Sequence, residues 1–85
     1  MNPQLHNNYG VLLMQARRPG DAAEQFTAAI DADPDFFAAY DGLGYALEAE
    51  GKTGEAAEMY RKALALKPDF QAAQQHLRKV EAAVR

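Results

Sequence analysis

The chain has 85 residues, which is enough for one small domain. Its 9 Lys and Arg against 12 Asp and Glu give a net charge of −3, which argues against a phosphate-binding surface and therefore against a nucleic-acid partner. There is no Cys, so a disulfide framework is excluded, and the longest bulky apolar run, residues 11–14, is far too short to span a membrane. We therefore expect no membrane partner.

Prolines and glycines divide the chain into five predicted helices. Asn2-Pro3 is typical of a helix start, and Pro34 and Pro68 each predict the end of a helix. Residues 18–21 and 51–54 are clusters of helix-breaking residues. The predicted helices span about 3–16, 20–33, 37–50, 54–67 and 70–84. With only three Val, one Ile and two Thr, the sequence has no strand pattern, so the fold class is all-α.

Side chains that can cap helices stand beside these breaks. Asn2 is the predicted N-cap of the first helix, Asp35 of the third, Thr53 of the fourth and Asp69 of the fifth. Each has a side-chain oxygen that can accept a hydrogen bond from a free backbone N–H of the first turn.

The chain repeats itself at a distance of 34 residues. When residues 3–36 are laid over residues 37–70, ten pairs are identical. These pairs are Gly10/Gly44, Leu13/Leu47, Gly20/Gly54, Ala22/Ala56, Ala23/Ala57, Glu24/Glu58, Ala29/Ala63, Pro34/Pro68, Asp35/Asp69 and Phe36/Phe70. A fixed period of this length is typical of stacked supersecondary units, each of which reads here as two helices.

The period and the recurring residues resemble the tetratricopeptide repeat. In the second unit the pattern of that family falls on Tyr40, Leu43, Gly44, Leu47, Ala56, Tyr60, Ala63 and Pro68. In the first unit it falls on His6, Tyr9, Gly10, Leu13, Ala22, Phe26, Ala29 and Pro34. The departures are Leu13 and Leu47 where the family has Tyr, His6 where it has an aromatic residue, and Tyr9 where it has Leu.

The resemblance implies an α-solenoid, in which two antiparallel helix pairs stack as a right-handed superhelix. We expect one domain over residues 1–85, with repeats at 3–36 and 37–70 and a capping helix at 70–85. Gly10, Gly44 and the recurring alanines predict close helix contacts, because small residues let two helices approach. Phe26 and Tyr60 are expected to fill the helix crossings.

The last helix is interpreted as a cap. Its apolar positions are expected to face the unit before it; they are Ala73, Leu77, Val80 and Val84. We expect Leu77 in particular to be buried. The opposite positions, Gln74, Arg78 and Glu81, form a polar outer face of the kind that terminal repeats need.

The sequence shows no recognisable arrangement of catalytic residues. There is no Ser or Cys to act as a nucleophile, and His6 and His76 stand 70 residues apart without a local metal-ligand cluster. We therefore expect no enzyme activity, no metal and no cofactor.

The family resemblance places a groove on the concave side, formed by the first helix of each unit. Small side chains at Ala38, Gly42 and Ala72 predict that this groove is shallow. The candidate peptide-binding residues are Asn7, Asn8, Val11, Met14, Asp41, Tyr45, Glu48, Gln75, His76 and Lys79. Asp41 and Glu48 are expected to favour a ligand with a basic residue. The predicted function is that of a protein–protein interaction module or adaptor that binds a peptide segment.

One subgroup of the family holds the C-terminal carboxylate of heat-shock chaperones with a set of Lys, Asn and Arg side chains. At the matching positions this chain has Asn7, Val11, Gly42, Ala72 and His76. Because this clamp is missing, the sequence predicts no such activity.

The alternative function is structural, as a self-assembling unit or a piece of a longer repeat array whose groove binds nothing. The first helix supports it with an apolar stripe that no earlier unit covers, at Leu5, Tyr9, Leu12 and Ala16. We expect a second copy or upstream repeats to cover this stripe, so a homodimer is one expectation.

Two further expectations concern charge and location. Residues 1–51 carry a net charge of −6 and residues 52–85 a net charge of +3, which suggests either solvated faces or a partner that matches the gradient. Since residues 1–3 are not followed by a basic stretch and an apolar core, we expect no signal peptide and a cytoplasmic location.

Overall fold

The computed structural model describes residues 2–83, which form five α-helices and, within that range, no β-strand. The helices are α1 (Pro3–Gln15), α2 (Pro19–Ala32), α3 (Phe37–Ala49), α4 (Thr53–Leu66) and α5 (Gln71–Ala83). The prediction of an all-α repeat of helices is confirmed, with helix ends that lie within one residue of the predicted ones. The predicted end of α5 at Val84 lies outside the described residues.

The helices form two layers. Each helix packs on the next along the chain, and α3 also contacts both α1 and α5. By contrast, α2 and α4 have no Cα atoms within 8 Å of each other, because α3 separates them. One layer therefore consists of α1, α3 and α5, and the other of α2 and α4 with an open trough between them.

Two aromatic rings form the centre of the core. Eight of the twelve buried apolar side chains among the described residues are alanines, so little bulk is available elsewhere. Phe26 packs with Leu13 and Ala46, and Tyr60 packs with Ala56 and Val80. Both rings are almost fully buried, at 1% and 0% exposed. The prediction that Phe26 and Tyr60 fill the helix crossings is confirmed.

Glycines on the facing helices make room for these rings. A Cβ added to Gly10 would lie 2.8 Å from the Phe26 ring, and one added to Gly44 would lie 2.6 Å from the Tyr60 ring. These contacts confirm the packing role predicted for both residues. Gly42 makes the tightest approach, since its Cβ would lie 2.4 Å from Phe26. The sequence indicates only a groove position for Gly42, and this packing role is visible only in the structure.

The first predicted cap is confirmed and the second is wrong. The Asn2 side chain accepts hydrogen bonds from the backbone N–H groups of Gln4 and Leu5, at 2.9 and 3.3 Å. Helix α3 instead has Phe36 as its N-cap, without a side-chain hydrogen bond. Asp35 lies one residue earlier, in a turn where its own N–H donates to Asp33 Oδ1 at 3.1 Å.

The remaining two predicted caps also differ from the structure. Thr53 is the first residue of α4 and follows Lys52, which occupies the N-cap position without a side-chain hydrogen bond. Asp69 lies in the turn before α5 and forms an ion pair with Lys67 at 3.3 Å. The prolines and the turns thus decide where these helices begin, with little help from capping side chains.

Helix α5 closes the second aromatic cluster. Ala73 and Val80 are buried, at 0% and 2% exposed. Leu77 packs against the Tyr60 cluster but is only partly buried, so the expectation of full burial is corrected. The reason is geometric, because Leu77 lies about 60° around the helix from Val80, on the flank of the buried stripe. The predicted polar outer face is exposed, and its residues are Gln74, Arg78 and Glu81.

Helices α1 and α3 end in the same way. The residues that follow their C-caps, Arg17 and Gly51, have φ angles of 61° and 82° and are 34 positions apart. At each end two backbone N–H groups return to carbonyls of the last turn, as in Arg18 N–H to Leu13 O at 2.9 Å and Lys52 N–H to Leu47 O at 2.9 Å. This is the Schellman motif, which normally places glycine at the left-handed position.

Arg17→Gly is expected to stabilise the fold, because a left-handed φ strains a residue that has a Cβ. We expect the free energy of unfolding to rise by about 0.5–1 kcal/mol, after allowance for the greater entropy of glycine in the unfolded chain. Urea denaturation followed by circular dichroism measures this change. Gly51→Ala is the matched control and should lower the stability by about 1 kcal/mol. Equal stability of the two variants would contradict the argument.

Gly42→Ala is expected to destabilise the fold by about 1–3 kcal/mol, since the new methyl group would overlap the buried Phe26 ring. Gly54→Ala serves as the control, because a Cβ there meets nothing within 4 Å. It should leave stability unchanged or raise it by up to about 1 kcal/mol. Thermal denaturation of both variants checks the prediction, which fails if Gly42→Ala melts at or above the temperature of Gly54→Ala.

Candidate functional site

A groove of about 500 Å³ runs across the layer formed by α1, α3 and α5. Its lining is mainly apolar, with a few polar groups at the sides. The lining residues are Asn7, Val11, Met14, Gln15, Phe26, Ala38, Asp41, Gly42, Tyr45, Phe70 and His76.

Helical periodicity brings the groove side chains of α1 onto one face. Asn7, Val11 and Met14 are spaced by four and three residues, which places them one above another along the helix. On α3, Asp41 and Tyr45 are four residues apart and face them in the same way. The two helices therefore form the two walls of the groove.

The floor of the groove is the Phe26 ring, which comes from α2 in the other layer. The ring can reach this position because Gly42 has no side chain to block it. Val11 and Tyr45 are 43% and 47% exposed above it, so the walls offer apolar surface to a ligand. Phe70, in the turn before α5, adds a further aromatic side chain. Phe26 and Phe70 were not predicted as lining residues. The available signal for Phe70 is that it repeats Phe36 at a distance of 34 residues.

A part-buried hydrogen-bonded contact between His76 and Asp41 lies at the end of the groove towards α5. His76 Nδ1 lies 2.9 Å from Asp41 Oδ1, and the Asp41 side chain is only 13% exposed. Burial raises the pKa of the Asp41 carboxyl above its usual value, while the hydrogen bond and the charge of His76 oppose that rise. The Tyr45 and Tyr60 rings each lie 5.2 Å from the His76 ring, which they flank.

Glu48 and Lys79 form a second polar contact behind this pair. The Tyr60 hydroxyl donates to Glu48 Oε1 at 2.8 Å, and Lys79 Nζ lies 3.8 Å from Glu48 Oε2. Burial, followed by the hydrogen bond and the charge of Glu48, raises the pKa of Tyr60 above its usual value. The phenol therefore stays protonated and remains a donor to Glu48.

The structure brings six of the ten predicted groove residues together and leaves four outside. Those in the groove are Asn7, Val11, Met14, Asp41, Tyr45 and His76. Asn8 lies outside and accepts a hydrogen bond from the Gln4 side chain at 2.8 Å. Gln75 is exposed away from the lining, as is Lys79, and Glu48 is engaged with Tyr60.

The two acidic residues already have hydrogen-bond partners within the protein. Asp41 is hydrogen-bonded to His76, and Glu48 to Tyr60. Each carboxylate can accept further hydrogen bonds, so the preference for a basic residue in the ligand stays a prediction. The Asn7 amide differs from both, since its Oδ1 is buried and, within residues 2–83, has no hydrogen-bond partner.

The apolar stripe of α1 lies on a different face of that helix from the groove. Leu5 is 64% exposed, Tyr9 51% and Leu12 60%, and Ala16, at the end of the helix, is exposed as well. Within the described residues, these three large side chains are among the most exposed apolar groups of the fold.

Residues 2–83 contain neither a candidate metal site nor a candidate membrane span. Over that range, no three His, Cys, Asp or Glu residues come close enough together to hold a metal ion. None of the five helices combines the length and the apolar character that crossing a bilayer requires.

The fold is similar to that of solved tetratricopeptide repeat (TPR) domains. The first TPR of Spaghetti (RPAP3), bound to an HSP90 peptide of sequence SRMEEVD, superposes with a TM-score of 0.94 at 28% identity. The first TPR domain of human RPAP3 gives 0.95 at 28%, and its second TPR domain, in complex with an HSP70 peptide, gives 0.91 at 26%.

The matches cover 98%, 98% and 94% of this chain. The chain in turn spans 66%, 65% and 67% of those three domains, about two thirds of their length. No curated protein sequence matches the chain.

A family profile for the tetratricopeptide repeat matches residues 9–70, which is most of the chain. The matched residues include the two glycine–aromatic contacts at the centre of the core, which are Gly10 with Phe26 and Gly44 with Tyr60. The helices, the repeat distance and the profile agree, and the chain belongs to the tetratricopeptide repeat family.

Proposed function

We propose that the groove formed by α1, α3 and α5 binds a peptide segment of another protein. The observation that carries this proposal is a groove whose walls and floor are apolar, with Val11 and Tyr45 about half exposed above the Phe26 ring. Partly exposed apolar surface in a concave site is what a peptide side chain needs for burial. The RPAP3 domains that superpose on this chain, in complexes with HSP90 and HSP70 peptides, support the same function.

The chemistry of the groove favours a peptide with a bulky apolar side chain. Such a side chain would lie between Val11, Met14 and Tyr45, over Phe26. Asn7 supplies an amide that can bond to a peptide backbone, because it carries both donor and acceptor groups. The Asp41 carboxylate is already bonded to His76, so we expect the charges of the ligand to change the affinity less than its apolar side chain does.

The acidic peptide SRMEEVD, found with the Spaghetti domain, is expected to bind this groove weakly or not at all. A terminal carboxylate needs cationic partners, and the side chains at the corresponding positions include Asn7, Gly42 and Ala72. His76 is the one titratable group among them, and it is bonded to Asp41.

Selection from a random peptide library displayed on phage tests the proposal directly. Peptides enriched on the folded chain should contain a bulky apolar residue, and they should shift the backbone NMR signals of Val11 and Tyr45. Tyr45→Ala should weaken their binding about tenfold, as the loss of a central aromatic contact commonly does. Fluorescence anisotropy with a labelled peptide measures the affinity.

Gln75→Ala is the matched control, because Gln75 is exposed on α5 outside the groove. It should leave the affinity unchanged. Enriched peptides whose NMR shifts map away from α1 and α3, or that bind Tyr45→Ala as tightly as the wild type, would overturn the proposal.

We propose as a second candidate function that the chain associates with a copy of itself through the apolar stripe of α1. The observation that favours it is the exposure of Leu5, Tyr9 and Leu12, each more than half exposed. Helix α1 contains no Asp, Glu, Lys or Arg between Pro3 and Gln15, so two copies can meet there without burying an unpaired charge.

A two-fold pairing of α1 with α1 fits this surface better than head-to-tail stacking. In a head-to-tail contact the stripe would meet the outer face of α5, where Arg78 and Glu81 are exposed. Burying such charges against leucines costs free energy without compensation. A two-fold contact instead places leucine against leucine.

Sedimentation equilibrium over a range of protein concentrations tests this pairing. We expect a dimer for the wild type and a monomer of unchanged helicity for Leu5→Glu/Leu12→Glu. Gln71→Glu/Gln75→Glu adds the same charge to exposed sites on α5 and should remain dimeric. A monomeric wild type at the highest concentration would rule out self-association through the stripe.

A further inference from the structure

A second groove lies on the opposite layer, in the trough between α2 and α4. Its volume is about 710 Å³, and α3 forms its floor. Leu43 and Leu47 of α3 and Met59 of α4 are only partly buried there, so apolar surface is accessible between the two helices. None of these residues belongs to the groove of the proposed function.

The rim of this trough is predominantly acidic. Five carboxylates line it, from α2, from the end of α3 and from α4, and they are Glu24, Asp31, Glu50, Glu55 and Glu58. Lys52 is the only basic residue in the lining. Ion pairs occur elsewhere in residues 2–83, as between Arg18 and Asp21, but none involves these five carboxylates.

The repeat places a carboxylate at the same position of both helices that border the trough. Glu24 and Glu58 are 34 residues apart and occupy the same position on α2 and α4. Glu55 lies on the same face of α4 as Glu58, at a spacing where like charges repel. All of these side chains are exposed. Such an arrangement gives nothing to the stability of the free chain, but it favours a cationic molecule lying between the two helices.

We propose that the trough between α2 and α4 is a second docking surface, which takes a basic amphipathic peptide segment of a partner protein. Apolar side chains of the segment would cover Leu43, Leu47 and Met59, and its Lys or Arg side chains would pair with the acidic rim. Charge complementarity decides this choice of occupant, since a phosphate-bearing or acidic partner would be repelled by the same five carboxylates. The surface is independent of the peptide groove on the other layer.

Binding of a designed probe tests this proposal. The probe is a labelled amphipathic peptide of Leu and Lys, with Leu at helical spacing along one face. It should bind the full chain, shift the backbone NMR signals of Ala23, Leu47 and Met59, and lose affinity as salt is added. A peptide with Glu in place of every Lys should not bind.

The variant that tests the rim is Glu24→Gln/Glu50→Gln/Glu58→Gln, which removes three charges outside the first turn of any helix. We expect about tenfold weaker binding of the probe, because each exposed pair contributes only modestly. The matched control, Asp35→Asn/Asp69→Asn/Glu81→Gln, removes three charges elsewhere and should bind as the wild type does. Tyr45→Ala should also bind normally, since it alters only the other groove.

Three results would overturn the proposal. One is an equal loss of affinity in the control variant, which would make the effect one of net charge alone. Another is a set of NMR shifts confined to Val11, Met14 and Tyr45, which would place the probe in the groove of α1, α3 and α5. The third is self-association of the free chain that the rim variant abolishes, which would make a second copy the occupant. Circular dichroism of each variant confirms that it folds before binding is measured.

Discussion

The packing of an aromatic ring from one helix layer into a glycine-lined gap in the other holds this small protein together. Phe26 fits between Gly10 of α1 and Gly42 of α3, where either Cβ would approach the ring to less than 3 Å. Because most other buried side chains are alanines, the rings of Phe26 and Tyr60 supply much of the apolar bulk of the core. The spacing of the helices therefore depends on what stands opposite these two rings.

The two repeats differ at that position, and the difference shapes the groove. Gly42 of α3 faces the Phe26 ring of α2. The residue at the same repeat position 34 residues later is His76 of α5. His76 lies over the Tyr60 ring and reaches back to Asp41 on α3. The same repeat position thus leaves an open floor over the first ring and closes the space over the second, so the groove ends at α5.

The two layers also present different chemistry to a partner. The groove of α1, α3 and α5 is apolar, and its acidic residue Asp41 is satisfied internally. The trough between α2 and α4 has an apolar floor as well, but exposed carboxylates that form no ion pair within residues 2–83 surround it. One domain of this size can therefore offer separate surfaces to an apolar and to a basic segment. The acidic rim does not follow the uneven charge along the sequence, because Glu55 and Glu58 lie in residues 52–85, which carry a net positive charge.

The sequence by itself determined the helices, the repeat and the family. Prolines and glycines act on the backbone next to them and can be read directly from the sequence, as can the 34-residue period. Together they predicted the helix ends to within one residue. It also predicted the close packing at Gly10 and Gly44, and the family resemblance implied that Val11, Met14 and Tyr45 share the groove face.

Only the tertiary structure decided which polar groups are free. The partners of Asp41 and Glu48 lie 35 and 12 residues away, on other helices, and no local pattern indicates which side chains will meet. For the same reason the sequence predicts Phe26 only as a core residue, although its ring also forms the floor of the groove. It predicts Asp35 as the N-cap of α3, although Asp35 lies in the turn one residue earlier. Hydrogen bonds and packing between helices depend on distances through space, which the order of residues along one helix does not specify.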